Sequence, residues 1–278
     1  MRFRWDRLAV LGMFAVMLVL AALNALTGGP PPPAEAAALL PVPPATTSTS
    51  APDPPCPVSR RGTIVRTAPA AASGPETGRS RTVALTFDDG PSRWTPQILQ
   101  VLRRNRVRAT FFMIGSNAEN HPDEVAAVAA DGHLIAGHTW EHVPPSRGDS
   151  WPVSRLGSEL DRTNAALEQL TGHPVCWFRP PSGILAGTSG PAAQRGLSVV
   201  LWSVDSRDWQ VQDGARADPD AVLAWRITVL ATAGGSQTHP LVLLHDGGGY
   251  RGATVEALPA VIAYYRQRGY AFVRLDGR

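Results

Sequence analysis

Short apolar runs alternate with stretches of helical periodicity from residue 81 onward. The runs at 83–87, 109–114, 134–136, 175–178, 198–204, 241–244 and 270–275 are continuous rather than alternating, as expected of strands covered on both faces. Between them, 96–105, 122–131, 154–170, 192–196, 219–233 and 255–268 carry helical patterns. Gly132, Gly172 and Gly269 stand where a helix ends on a residue tolerant of positive φ. This alternation predicts a parallel α/β sheet, open or closed into a barrel. About seven parallel strands in this length suit a deformed, incomplete (β/α) barrel better than a full eightfold one, which takes about 250 residues.

Upstream the pattern changes twice. Residues 8–26 are apolar apart from Asn24 and follow Arg2, Arg4 and Arg7; as a helix they span roughly 28 Å, close to the ~30 Å hydrocarbon layer. Arginines on the short side predict a cytoplasmic N-terminus and an exported remainder. An uncleaved membrane anchor over 1–26 is the reading taken. A cleaved signal peptide, leaving a secreted protein, is the alternative, because Ala34-Glu35-Ala36 resembles a cleavage site but lies behind four prolines. Residues 27–80 hold half of the chain's 26 prolines, mixed with Ala, Ser and Thr, a composition that reads as a disordered, semi-rigid spacer. The catalytic domain is then 81–278. In an oxidising compartment Cys56, in the spacer, and Cys176, in the domain, could pair; two unpaired thiols is the reading preferred here, because pairing geometry is not written in sequence.

The formal charge of +3 falls in the first 80 residues, which leaves the folded part neutral, and nothing in it argues for a nucleic-acid partner. All 26 basic residues are arginine, which we attribute to base composition rather than to function.

The chemically capable residues cluster at the carboxyl ends of the strand runs. Asp88-Asp89 close the first, His138 and His142 follow the third, Arg179 the fourth, Asp205 and Asp208 the fifth, and His245-Asp246 the sixth. In parallel α/β folds those ends share the face on which active sites are built. Neighbouring residues on a strand point to opposite faces, so Asp88 and Asp89 serve one site only where the chain turns, and Gly90-Pro91 supplies a turn. Two carboxylates this close raise each other's pKa unless one takes up a proton or a metal or arginine compensates. His138-x-x-x-His142, read as one helical turn, places two imidazoles side by side, and with Asp89 they make a two-His, one-carboxylate metal set. Taken singly, each of these is more commonly a turn, a surface ion pair or a helix cap. The segment 245–249 reads equally as a flexible turn, and His121, His133, His173 and His239 read as structural or exposed. A serine nucleophile is excluded, since Gly187-Thr188-Ser189-Gly190-Pro191 lacks the last glycine of the G-x-S-x-G elbow.

Thr86-Phe87-Asp88-Asp89-Gly90, His138-x-x-x-His142, Arg179-Pro180-Pro181-Ser182-Gly183, Asp205-x-x-Asp208-Trp209 and Leu243-x-His245 together resemble the five ordered motifs of the polysaccharide deacetylases, the NodB-homology or carbohydrate esterase family 4 group. The resemblance covers essentially all of 81–278. It implies a divalent metal, usually zinc, with Co2+ or another first-row ion accepted by the same ligands, and hydrolysis of acetyl groups on glycans. Asp89, His138 and His142 would hold the metal; Asp88 would be the general base, with Arg179 orienting it; His245 would be the general acid, supported by Asp208. The backbone N–H of Ser182, after Pro181, would stabilise the oxyanion, and Trp209 and Leu243 would receive the acetyl methyl. Tyr is common in the family where Ser182 stands, so the substrate groove loses a ring.

The implied partners are an acetylated glycan, peptidoglycan first by location or a chitin-like oligosaccharide, and the membrane through the N-terminal helix; the chain is read as a monomer. A non-catalytic wall-binding module and an O-acetyl esterase of xylan type are the alternatives.

Overall fold

The computed structural model describes residue 56 and residues 62–70, 81–146, 148–211 and 219–278. The stretch read as an anchor or signal, 1–26, lies outside them. Among the described residues no helix is long and apolar enough to cross a membrane.

Strands and helices follow in the order β1 (Ile64–Val65), β2 (Thr82–Asp88), α1 (Thr95–Asn105), β3 (Thr110–Met113), α2 (Gly115–Asn120), α3 (Pro122–Ala130), β4 (Leu134–Gly137) and α4 (Val153–Thr171). They continue with β5 (Trp177–Phe178), α5 (Ser189–Gln194), β6 (Ser198–Val200), β7 (Val204–Asp205), α6 (Asp220–Ala231), β8 (Leu241–His245), α7 (Gly252–Gln267) and β9 (Ala271–Phe272). The sheet runs β1-β6-β5-β4-β3-β2-β8-β7, with β9 added to β2, and every pairing is parallel. It is an open, curled half-barrel with helices outside, the incomplete barrel expected.

Alternation along β2 sorts the core. Val83, Leu85 and Phe87 pack with helix residues such as Ile98, Leu102 and Val261, while Ala84 joins Phe112, Ala136, Trp177 and Val200 on the inner side. Burying each large apolar side chain contributes about 1.5–3 kcal/mol. The same alternation turns Thr86 and Asp88 inward with Ala84, so the first acid of the pair faces the half-barrel's interior.

Three expectations are corrected. The run 198–204 is two strands: β6 pairs with β5 and β1, whereas β7 pairs with β8 at the other end of the sheet. From Val200 to Val204 the chain reaches at most about 14 Å, so the two ends of the sheet must approach one another, which is what curls it. The second correction concerns the spacer. Ile64 and Val65, β-branched and hence suited to an edge strand, pair with Val199 and Val200, and Ala68 is buried with its N–H bonded to the His239 carbonyl at 3.0 Å. This part of 27–80 belongs to the fold. Third, Cys56 and Cys176 form a disulfide with a Cα–Cα separation of 5.2 Å, so the preference for free thiols was wrong; Cys56 lies in the inner apolar cluster around Cys176. Helix α2 had no counterpart in the sequence reading, because its short polar run carries no hydrophobic period.

Candidate active site

Parallel register places Asp88 at the end of β2 beside His245 at the end of β8. Asp89 then leaves the strand with φ 69°. That left-handed backbone swings the second carboxylate toward the same interior that Asp88 already faces, which resolves how adjacent residues serve one site. Room for it comes from glycine: a Cβ on Gly247 would run into the Asp89 carbonyl oxygen, and one on Gly248, at φ 70°, into the Asp89 carboxylate. The 245–249 segment is therefore a fitted turn rather than a loose one.

Asp89 Oδ1 lies 3.4 Å from His138 Nε2 and 3.2 Å from His142 Nε2, and the ligand atoms of the three residues all lie within 4.8 Å of one another. His138 Nδ1–H donates to the Arg179 carbonyl at 2.6 Å, which leaves Nε2 as the lone-pair nitrogen facing Asp89. Asp89 Oδ1 is buried and, among the described residues, makes no hydrogen bond. An orphaned carboxylate oxygen flanked by two imidazole nitrogens is a donor set suited to a divalent cation. Burial alone would raise the Asp89 pKa, but the surrounding imidazoles, His138 foremost and then His245 and His142, outweigh it and hold the carboxyl well below its usual range. Burial and the neighbouring His138 lower that of His142.

The two histidines do not share a helical turn, as their spacing suggested. They lie on an irregular loop in which Thr139 and His142 have φ 65° and 54°, and the Thr139 hydroxyl accepts the His142 N–H at 3.2 Å. The loop's shape comes from outside partners, which a residue count cannot show.

Arg179 is fully buried. Its Nη1 donates to Asp88 Oδ1 at 2.6 Å and to Thr86 Oγ1 at 2.9 Å, and Nη2 donates to the Leu201 carbonyl at 3.0 Å. The guanidinium also lies 4.0 Å above the Phe112 ring. Across the site, His245 Nδ1 meets Asp208 Oδ1 at 2.7 Å, while Asp208 Oδ2 accepts the His245 N–H and the Thr254 hydroxyl, each at 2.9 Å. Burial alone would push His245 down; the Asp208 charge and hydrogen bond outweigh it and raise the pKa to about 9. Burial likewise opposes ionisation of Asp208, yet His245 and Arg251 keep it below the ordinary value.

A cavity of about 340 Å³ is lined by Asp88, Asp89, His138, His142 and His245 together with Ser182, Leu243, Trp209, Asp205, Pro180 and Trp202. Of the residues singled out in the sequence, Arg179 and Asp208 stand behind this wall, each holding a lining side chain. Pro181 is buried and does not line the cavity; Pro180 does, because the turn through Ser182, at φ 57°, folds Pro181 inward. Trp202 escaped the sequence reading because it was placed inside a strand, and it lies in the crossing between β6 and β7. Asp246 stands beside His245 at the end of the sixth run, where the sequence assigned it no role. It is buried, accepts the Thr95 hydroxyl at 2.6 Å, and takes a hydrogen bond from Ser92 on its carbonyl; burial pushes its pKa up to about 7. His133 is structural, as read: its Nδ1 accepts the Ala109 N–H at 3.0 Å.

With fold and site in view, the comparisons with known proteins agree. The family model for polysaccharide deacetylase matches residues 76–198. A chitooligosaccharide deacetylase of Rhizobium leguminosarum bv. trifolii is 37% identical over 204 residues, covering 69% of this chain and 88% of that one. A peptidoglycan-N-acetylglucosamine deacetylase of Bacillus cereus is 34% identical over 197 residues, covering 69% of this chain and 66% of that one. Among solved structures, the Bc1960 peptidoglycan N-acetylglucosamine deacetylase, in complex with a naphthyl N-hydroxybenzamide, superposes with a TM-score of 0.63 at 30% identity, covering 78% of this chain and 92% of that one. The chain belongs to the polysaccharide deacetylase family, the carbohydrate esterases of family 4. It is a hydrolase of the class that cleaves N-acetyl groups from glycans.

Proposed function

We propose that this protein is an exported, cation-dependent deacetylase that removes N-acetyl groups from a wall glycan, peptidoglycan by preference, acting as a monomer. The observation that carries the reading is the convergence of Asp89, His138 and His142 at a cavity also lined by Asp88 and His245. Export is supported by the Cys56–Cys176 disulfide, since such bonds persist in oxidising compartments. The apolar run 8–26 behind its arginines would anchor the enzyme in the membrane, or leave it secreted if cleaved. Relatives that act on peptidoglycan favour that substrate over free chitin-like oligosaccharides at such a location.

A divalent cation, zinc in this reading, would be held by Asp89, His138 and His142 and would supply Lewis acidity, lowering the pKa of water from 15.7 to about 7. Asp88 takes the proton of the attacking water. Its Oδ1 is engaged by Arg179, which leaves Oδ2, 3.7 Å from His138 Nε2, for that task. The Ser182 N–H donates to the acetyl oxygen as negative charge develops there. His245, protonated because Asp208 stands behind it, delivers its proton to the leaving amine nitrogen. Leu243 and Trp209 give the acetyl methyl an apolar wall. Water and amide thereby yield acetate and the free amine with no other reactant.

Acetate release from N-acetylated chitooligosaccharides and from purified peptidoglycan tests the reading. Chelation should abolish it, zinc should restore it, and Asp88→Asn should lower kcat by about 10²–10⁴-fold while leaving the metal content unchanged. Protein that binds wall material equally well with chelator present and releases no acetate would sink the proposal in favour of a binding module.

A further inference from the structure

The loop carrying both imidazoles is held by a residue outside every motif. Glu159, in the second turn of α4, places one carboxylate oxygen, Oε2, 2.7 Å from the Trp140 N–H and 3.0 Å from the Glu141 N–H. These are successive amides between His138 and His142. Successive N–H groups aimed at one point make an anion-binding concavity, and here the anion comes from the protein itself. Two further attachments fix the other side of the loop: the Gly115 N–H donates to the Thr139 carbonyl at 2.9 Å and the Ser116 N–H to the Trp140 carbonyl at 3.1 Å. Arg162, one helical turn beyond Glu159, lies 3.7 Å above the Trp140 ring.

The loop needs such support. Thr139 and His142 both occupy left-handed backbone as non-glycine residues, a conformation that costs of order 1–3 kcal/mol per residue and persists only where surroundings over-determine it. The side chains of Asp89 and His138 are nearly buried, whereas that of His142 is 32% exposed. His142, at the loop's far end, thus has the least packing to hold it and depends most on the backbone between the two histidines.

We infer that Glu159 is a positioning residue for the cation site: by clamping the Trp140 and Glu141 amides it sets the spacing of His138 and His142 and hence the affinity and geometry with which a divalent cation is held. The inference rests on the metal reading given above and extends it to a residue 17 positions beyond the second histidine.

The test uses the purified protein, with Zn2+ affinity measured by competition against a chromophoric chelator and geometry read from the visible absorption of the Co2+ form. Glu159→Ala should weaken Zn2+ binding by roughly 10–100-fold and change the Co2+ spectrum. Glu159→Gln keeps an acceptor at the same reach without the charge and should lose less. Asp161→Asn, on the same helix but paired with Arg195 at the surface, should match wild type in both measurements. If Glu159→Ala folds and binds Zn2+ as wild type does, with an unchanged Co2+ spectrum, the inference is overturned and the metal reading stands. If Glu159→Ala does not fold, Glu159→Gln decides alone: weakened binding supports the role and wild-type binding overturns it. Wild-type protein that takes up neither cation would overturn the metal reading and this inference with it.

Discussion

Arg179 lies wholly inside the protein, and among the described residues the charge facing its Nη1 is the Asp88 carboxylate. Removing one member of a buried pair leaves the other uncompensated, so Arg179→Met should destabilise the fold by about 3–5 kcal/mol in denaturant unfolding. Arg179→Lys should not rescue it, since an ammonium cannot reach Asp88, Thr86 and the Leu201 carbonyl together. His245 supplies a pH prediction. With its pKa raised to about 9 by Asp208, His245, the proposed general acid, stays protonated through neutrality, and the rate should fall as pH passes about 9. Asp208→Asn takes away the raising partner and leaves burial, so the alkaline limb of the pH–rate profile should move to lower pH. Stability of the metal-free protein follows the same sign. A histidine that binds its proton more tightly folded than unfolded contributes fully below its ordinary value of 6.5, and that contribution is gone once pH has risen past about 9. Denaturation of wild type and Asp208→Asn at about pH 6 and about pH 10 should show the variant with the flatter dependence. These residues were legible in the sequence because each follows an apolar run within a few positions. Glu159 and Trp202 were not: the first acts through backbone amides, which carry no residue code, and the second stands in a crossing that looked like continuous strand.

Among the elements, β1 shows how local pattern and tertiary pairing diverge. Two β-branched residues in a proline-rich stretch carry too little pattern to predict a strand, and it is Val199 and Val200 that give them a partner. Their pairing matters to the site. The Leu201 N–H donates to the Val65 carbonyl at 2.8 Å, and the Leu201 carbonyl accepts from Arg179 at 3.0 Å, so the edge strand steadies an acceptor of the buried guanidinium. The disulfide ties down the same segment. It joins positions 120 residues apart, and a link of that span is worth about 4–5 kcal/mol in the chain-entropy account. Cys56→Ser should lower the unfolding free energy by up to that amount and speed hydrogen exchange at the amides of Val199 and Leu201, which bond to the β1 segment. Long helices such as α4 were placed to within a residue or two, because a sustained 3.6-residue period and Gly172 at its end, φ 70°, leave little freedom. The His138–His142 loop was misread for the converse reason, since i, i+4 spacing fits a helical turn and many other backbones alike.

At the scale of the whole molecule, alternation of buried strands and amphipathic helices dictated a parallel α/β fold, and the strand ends dictated where chemistry would gather. The curl that brings those ends together was not dictated locally; it follows from the short crossing between β6 and β7. Because the Asp89, His138 and His142 donors come from two separate strand ends, a bound cation would bridge elements, and its removal should loosen the assembled domain. Zinc at about 100 times its Kd should stabilise the protein by about 2.7 kcal/mol, a Tm rise of roughly 5–10 °C for a domain of this size that chelation reverses in a thermal melt. One further consequence comes from β1 lying at the edge of the sheet against β6. A polypeptide emerges from its N-terminus, so Ile64 and Val65 are made long before Val199 and Val200 exist to receive them. The first-made edge of the sheet must wait, unpartnered, until most of the protein has been delivered.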